Sequence, residues 1–314
     1  MSEHEHEHDH DHGNERIPWH RTKIDKRLLQ ELNQRSDAKG LWQAGGHLLL
    51  LLASGSLAVW SAGVWPWWAT LGVVWIHGTF WSFLLNGFHE LIHGTVFKSK
   101  KLNNVFLNIF SFLGQYNPVL FWASHTEHHK YTLHPPRDLE VVLPVEFSVK
   151  GFLRCAFFNV RGVMHNLKQH GRLSFGRLKG EWEHHLFPAQ AKEKKRDLVR
   201  WARIILFGHS AIILALATLA IVTQSPRWAV AILVTSLAPY FGGWLLFLLN
   251  NTQHVGLTDK VPDFRLCSRT IYVNRFFEFL YWNMNYHIEH HMYAGVPCYN
   301  LRKMHRAIAH ELPW

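Results

Sequence analysis

Nine histidines stand in this sequence at spacings that suit metal binding. His89 and His93 form H-E-L-I-H. His125, His128 and His129 form H-T-E-H-H, and His287, His290 and His291 form H-I-E-H-H. His254 closes N-N-T-Q-H. On a helix, positions i, i+3 and i+4 share a face, so the first motif sets two imidazoles side by side and each of the others sets three. Imidazole suits iron, zinc and copper. Eight boxed histidines plus His254 exceed what one metal accepts, whereas two metals with four or five ligands each would use nearly all of them. A surface histidine cluster explains one such box but not three.

The elements that must position these boxes are apolar. Runs at about 41–60, 66–88, 204–222 and 228–249 each hold about 20 residues, enough at about 1.5 Å per residue to cross a hydrocarbon core of about 30 Å. A fifth run, 102–122, is interrupted by Asn103, Asn104, Gln115, Asn117 and Pro118 and reads as interfacial or re-entrant. The loop 61–66 carries no charge and 223–228 carries only Arg227, while Lys and Arg gather elsewhere. Positive charge stays on the cytosolic side, which places both termini and the long middle segment there. The expected fold is an all-α integral membrane protein. It has four transmembrane helices in two hairpins and a cytosolic helical cap, 93–202 and 251–314, that carries all three boxes. Residues 1–40 form a histidine- and acid-rich tail with a basic arm, and 41–314 form one catalytic domain. The polar, acidic start predicts no cleavable signal peptide.

Composition agrees. Of 314 residues, 48% are hydrophobic and only 18% charged, with a net charge of +10. The uneven distribution excludes a disordered chain, a coiled coil and a simple soluble domain. Fifteen tryptophans suit a membrane–water interface. Three scattered cysteines, Cys155, Cys267 and Cys298, exclude a disulfide framework, a zinc ribbon or a cysteine-held iron–sulfur cluster. The positive charge flanks the spans, which argues against nucleic acid as a partner. It suits anionic headgroups or an acidic protein instead.

The boxes, their order and their placement resemble the membrane fatty acid desaturase superfamily of di-iron oxygenases. H-E-L-I-H-G-T-V-F is similar to its first box and W-A-S-H-T-E-H-H-K-Y-T to its second. N-Y-H-I-E-H-H-M-Y-A-G-V-P-C-Y-N-L is similar to the third box and tail of acyl-lipid and front-end desaturases. The resemblance covers about 41–310. It implies two iron ions held by His89, His93, His125, His128, His129, His254, His287, His290 and His291, with Asn250 acting through a metal-bound water. O2 would be the co-substrate, and the reaction would desaturate an unactivated C–C bond, by default in a lipid acyl chain. A small amphiphilic metabolite is the other substrate considered, and hydroxylases and ketolases share the box pattern. Front-end relatives often have glutamine where His287 stands, and many carry a fused cytochrome b5 domain that is not seen here. Without a cysteine cluster, G-x-G-x-x-G or haem motif, the chain is expected to draw electrons from a separate ferredoxin or cytochrome b5-type donor with its reductase. A multi-pass protein with its active site in the cytosol, as in a bacterial inner membrane, is the expected setting.

Metal-bound histidines commonly need a partner at the other ring nitrogen. Glu90, Glu127, Glu289 and Asp138, with Glu140 beside it, are the candidates, each weighed against a solvated surface carboxylate. E-W-E-H-H-L-F-P at 181–188 imitates a third box but begins with glutamate and sits in a charged stretch, so an amphipathic surface helix is expected. His20, His47, His77, His165, His170, His209, His305 and His310 are isolated and read as structural or surface residues. A histidine-rich metal transporter would instead need paired ionisable groups along the spans, and His47, His77 and His209 have no carboxylate nearby in sequence.

The tail M-S-E-H-E-H-E-H-D-H-D-H alternates histidine and acid without fixed geometry, and reads as a solvated segment. Deleting Ser2–His12 is therefore expected to leave turnover nearly unchanged at saturating iron. A large loss of rate under those conditions would assign the tail a role.

Overall fold

The computed structural model describes residues 16–144 and 147–313, and the histidine-rich tail lies outside the described residues. These residues are helical, with two isolated β-bridges and no strand among them. Asp25 caps α1 (Lys26–Leu32) by accepting from Arg27 and Leu28 N–H. Ser36 caps α2 (Asp37–Gly40), which continues through one π turn into α3 (Gly46–Ser61) as a single apolar helix. After an uncharged turn ending at Pro66, α4 (Trp67–Ser82) returns along α3 and bends at Phe83 into α5 (Leu84–Ile92). α6 (Lys100–Gly114) folds back onto α5 and stops at Gln115, whose φ of 59° turns the chain. Asn117 then caps α7 (Pro118–Tyr131), with proline at the first helical position, where no N–H is needed.

The middle segment holds α8 (Val149–Ala156), α9 (Val160–Ser174) and α10 (Gly180–Leu186). It leads to α11 (Lys192–Thr223), 32 residues long, or about 48 Å. That exceeds the hydrocarbon thickness of about 30 Å, so the charged turns Lys192–Arg203 extend beyond it. α12 (Pro226–Leu233) packs back on α11 and α3. Among the described residues, three helices are long and apolar enough to cross a membrane: Asp37–Ser61, Trp67–Ile92 and Lys192–Thr223.

The fourth expected span, 228–249, is not one helix. α12 ends at Leu233, a 3-10 turn covers Ala238–Tyr240, and α13 (Trp244–Asn251) starts only after Gly242 and Gly243. Pro239 removes an N–H and clashes with the preceding turn, and Gly242 adopts φ +69°. The apolar composition hid both breakers. Backbone groups freed at such a break need partners wherever water is absent, and the chain supplies them. His77 Nε2 lies 3.0 Å from Val234 O and Gln115 Nε2 donates to Ser236 O at 2.7 Å, while His209 Nε2 lies 2.9 Å from Phe112 O at the end of α6. At the bend after α4, His47 Nε2 lies 3.0 Å from Phe80 O, while its Nδ1 accepts from Trp282 Nε1 at 3.0 Å. The isolated histidines of the spans thus serve broken helices.

The C-terminal part adds α14 (Phe264–Cys267), α15 (Arg275–Leu280), α16 (His287–Met292) and α17 (Leu301–Ile308). Phe88, Leu91, Phe110, Trp282, Ile288 and Met292 join them to α5 and α6 in one buried core.

Gly242 fits only because it lacks a Cβ. An added Cβ would lie 2.6 Å from both Thr79 N and Trp75 O, which are backbone atoms of α4. Gly242→Ala should destabilise the protein by about 2–4 kcal/mol, combining left-handed strain with overpacking. Gly72→Ala, where nothing lies within 4 Å of the new Cβ, should not. Melting of the detergent-purified variants compares the two, and equal midpoints would refute this account.

Candidate metal centre

Each box lies at a helix end. His89 is in the last turn of α5 and His93 is its C-cap, His128 and His129 lie in the last turn of α7 one turn beyond His125, and α16 is itself the third box. His254 follows α13 in a turn. Folding brings them into two adjoining groups. His89, His93, His125, His129 and His290 place ligand atoms within 4.8 Å of one another, and so do His128, His254 and His291. His287 joins the second group, its Nε2 3.0 Å from Nε2 of both His254 and His291. Its place there shows that histidine at this position of the third box is compatible with the cluster.

Five of the rings share an orientation. Their Nδ1 atoms face outward onto acceptors: His89 onto Glu90 Oε1 at 3.0 Å, His125 onto Glu140 Oε1 at 2.7 Å, and His128 onto Asp138 Oδ2 at 2.8 Å. His254 Nδ1 donates to Cys267 O at 2.7 Å, and His291 Nδ1 lies 3.3 Å from Thr132 Oγ1. A carboxylate or carbonyl there holds the proton on Nδ1 and leaves a lone pair on Nε2. The Nε2 atoms face inward, 3.2 Å apart for His93 and His125, 3.0 Å for His125 and His129, and 3.2 Å for His129 and His290. Lone pairs cannot all satisfy one another across such gaps. Two nitrogens about 2.1 Å from a shared metal and about 90° apart would stand about 3.0 Å from each other, so the residues fit metal ions.

The electrostatics favour the same donors. Burial, then repulsion from neighbouring imidazoles, holds His125, His129, His287, His290 and His291 well below the usual imidazole pKa. Burial brings His93 and His254 down to about 3. These rings are neutral and keep their lone pairs at physiological pH. At His128 burial opposes charge, but the hydrogen bond to Asp138 and the charges of Glu140 and Asp138 raise its pKa. Burial acts against ionised Asp138 too, yet His128 and the Leu133 and Glu140 N–H groups lower its pKa.

The acidic candidates divide. Glu90, 1% exposed, binds His89 and lies 3.3 Å from His290 Nδ1, and Asp138 is fully buried against His128. Glu289 is equally buried but turns away, to His305 Nδ1 and Thr270 Oγ1, both at 2.5 Å. Glu127 pairs with Lys130 at 2.8 Å. Neither of these last two touches a box histidine. In the imitation box, Glu183 pairs with Arg172 while His184 and His185 are exposed. The Cys267 carbonyl and Thr132 were not expected from sequence. A main-chain acceptor leaves no side-chain signal, although Thr132, four residues after His128, was placed to contribute.

Cavities adjoin the centre. One of about 180 Å³ touches both groups through His89, His125, His128, His254 and His287, with apolar walls of Leu85, Phe121, Val141 and Met284. Asn250 also lines it, and its Oδ1 is buried without a protein partner. A cavity of about 380 Å³ continues from it past Val142, Asn251 and Val255. Another, about 630 Å³, reaches His93, His125 and His129, and is bordered by Arg16, Arg21 and Lys130.

A family model described as fatty acid desaturase matches residues 65–314. No curated protein matches the chain.

Asp138→Asn should weaken metal binding about 10–100-fold, because it takes the acceptor and its charge from His128. Glu127→Gln should leave binding unchanged. Metal titration of the purified variants tests the contrast, and equal affinities would remove Asp138 from its positioning role.

Proposed function

The chain belongs to the fatty acid desaturase family, a membrane-bound family of oxidoreductases, and we propose that it is an O2-dependent di-iron desaturase acting on a lipid acyl chain. The observation that carries this reading is the convergence of inward-facing imidazole nitrogens in two adjoining groups, one buried and one partly buried, beside one apolar cavity. His89, His93, His125, His129 and His290 would hold one iron. His128, His254, His287 and His291 would hold the other, with Asn250 acting through water. When bound, the irons supply the power, drawn from O2 and two external electrons, to take hydrogen from an unactivated C–H bond.

The chain's own residues do the rest. Glu90, Asp138 and Glu140 fix imidazole orientation through Nδ1. Leu85, Phe121, Val141 and Met284 exclude water and fix which substrate carbon lies against the centre. The cavity bordered by Arg16, Arg21 and Lys130 approaches the five-histidine group from elsewhere on the protein. Its charge suits an acidic electron donor, a ferredoxin or cytochrome b5-type protein, docking on the cytosolic face. The transporter reading loses its support in the spans, because His47, His77 and His209 are engaged with backbone carbonyls.

Purified protein should contain two irons per chain. His128→Ala or His290→Ala should abolish turnover and lower the iron content. Full activity in either variant would overturn the ligand assignment. With isotopically labelled O2, the product should gain a double bond and no label, whereas a labelled hydroxyl or keto oxygen as the main product would make the enzyme a hydroxylase or ketolase.

A further inference from the structure

Residues 147–175 carry an unusual combination of exposed surface and charge. Val149, Leu153 and Phe157 form a stripe along α8 at i, i+4 and i+8. Val160, Met164 and Leu167 form another along α9 at i, i+4 and i+7, and all six are exposed, with Phe158 between the stripes. From Phe147 to Gly180 there is no Asp or Glu, but there are seven cations, among them Lys150, Arg154, Arg161 and Lys168.

The hairpin is also held deep. At its tip, Ala156 O accepts from Trp75 Nε1 at 2.6 Å and from Gly242 N at 3.2 Å. Gly243 N donates to Cys155 O at 2.8 Å, and Asn159 N donates to Tyr240 O at 2.7 Å. Trp75 is eight residues beyond Trp67, or about 12 Å from the end of the span formed by α4 and α5 that lies away from the histidines. The far end of α9 meets α11 at its last charged residue before the apolar stretch, where Arg203 Nε donates to Ser174 O at 2.9 Å. The hairpin therefore runs from the charged edge of one span toward the middle of another, with apolar stripes facing outward. Water is a poor solvent for that surface, and nothing acidic on the hairpin repels an anionic membrane.

We propose that α8 and α9 form a re-entrant hairpin that enters the bilayer from the histidine side, its tip in the acyl region and its open end at the headgroups, and that it recognises anionic phospholipid. The apolar stripes enter the acyl region, and the long basic side chains reach back to lipid phosphates. The hairpin also adjoins the centre. Phe247 of α13 packs between Phe147 and Phe152, with ring centroids 5.4 and 6.2 Å away, three residues before Asn250. The same leaflet thus reaches the neighbourhood of the small cavity.

The test uses the full chain in vesicles with a spin label on a single introduced cysteine, Phe157→Cys or Met164→Cys, in a Cys155→Ser background. Cys267 and Cys298 are buried, and Lys303→Cys, at a side chain 60% exposed, is the aqueous control. Relative to that control, both hairpin labels should show a several-fold higher ratio of collisions with oxygen to collisions with a water-soluble nickel chelate. The ratio should rise when about a third of the phosphatidylcholine is replaced by phosphatidylglycerol. Glutamine at Lys150, Arg154, Arg161 and Lys168 together should erase that rise. Nickel access equal to the control at both positions would overturn insertion, and equal ratios in the two lipid mixtures would overturn anionic recognition.

Discussion

Buried imidazole nitrogens facing one another at about 3 Å are the constraint on which this structure turns. Neutral rings with their lone pairs directed inward repel, and protonated rings repel more. Burial removes the water that would screen either state. Such a cluster is stable when cations are shared among the nitrogens. The outward partners follow from the same need. Each Nδ1 held by Asp138, Glu90, Glu140 or the Cys267 carbonyl commits its ring to present Nε2 inward. The acids thus set the tautomer, and their charge would balance that of metals held by the inward nitrogens.

The membrane-spanning part is shaped by a second cost, that of backbone without water. The fourth apolar run breaks at Pro239 and Gly242, and the second bends at Phe83. Each departure from the helix frees carbonyls that lipid cannot satisfy. His77, Gln115 and His47 meet those carbonyls directly. His209 reaches another, Phe112 O near the end of α6, at 2.9 Å. Polar residues within the spans, which in other settings would mark an ion pathway, are here accounted for by local backbone geometry.

The boxes were legible because helical spacing and ligand chemistry coincide. H-x-x-H-H on a helix end puts three rings on one face whatever surrounds it, and H-x-x-x-H puts two, so eight of the nine histidines follow from spacing, whereas His254 stands outside any box and follows only from the family resemblance. The broken fourth run was less legible, because hydropathy averages over Pro239 and does not register a single backbone kink. The acids show where sequence stops informing. Glu90 and Glu289 both sit inside a box, and both are almost wholly buried. One faces the histidines and the other faces Thr270 and His305. Their different roles depend on what packs against each short helix, and only the tertiary structure supplies that.

That dependence explains how the third box holds its geometry. α16 has six residues, far below the length at which a helix is stable on its own. It is fixed by bonds to other elements. Glu289 links it to the Thr270 segment and to α17, and Tyr286 donates to buried Glu278 on α15 at 2.7 Å. Glu278 in turn pairs with Arg275 and Arg302. Glu289 lies next to His290 yet contributes no contact to the histidine cluster. Its anchorage keeps His287, His290 and His291 from rotating with the end of a fraying helix. The motif provides donors at the right spacing, and this surrounding polar network provides the rigidity that a metal-binding site requires.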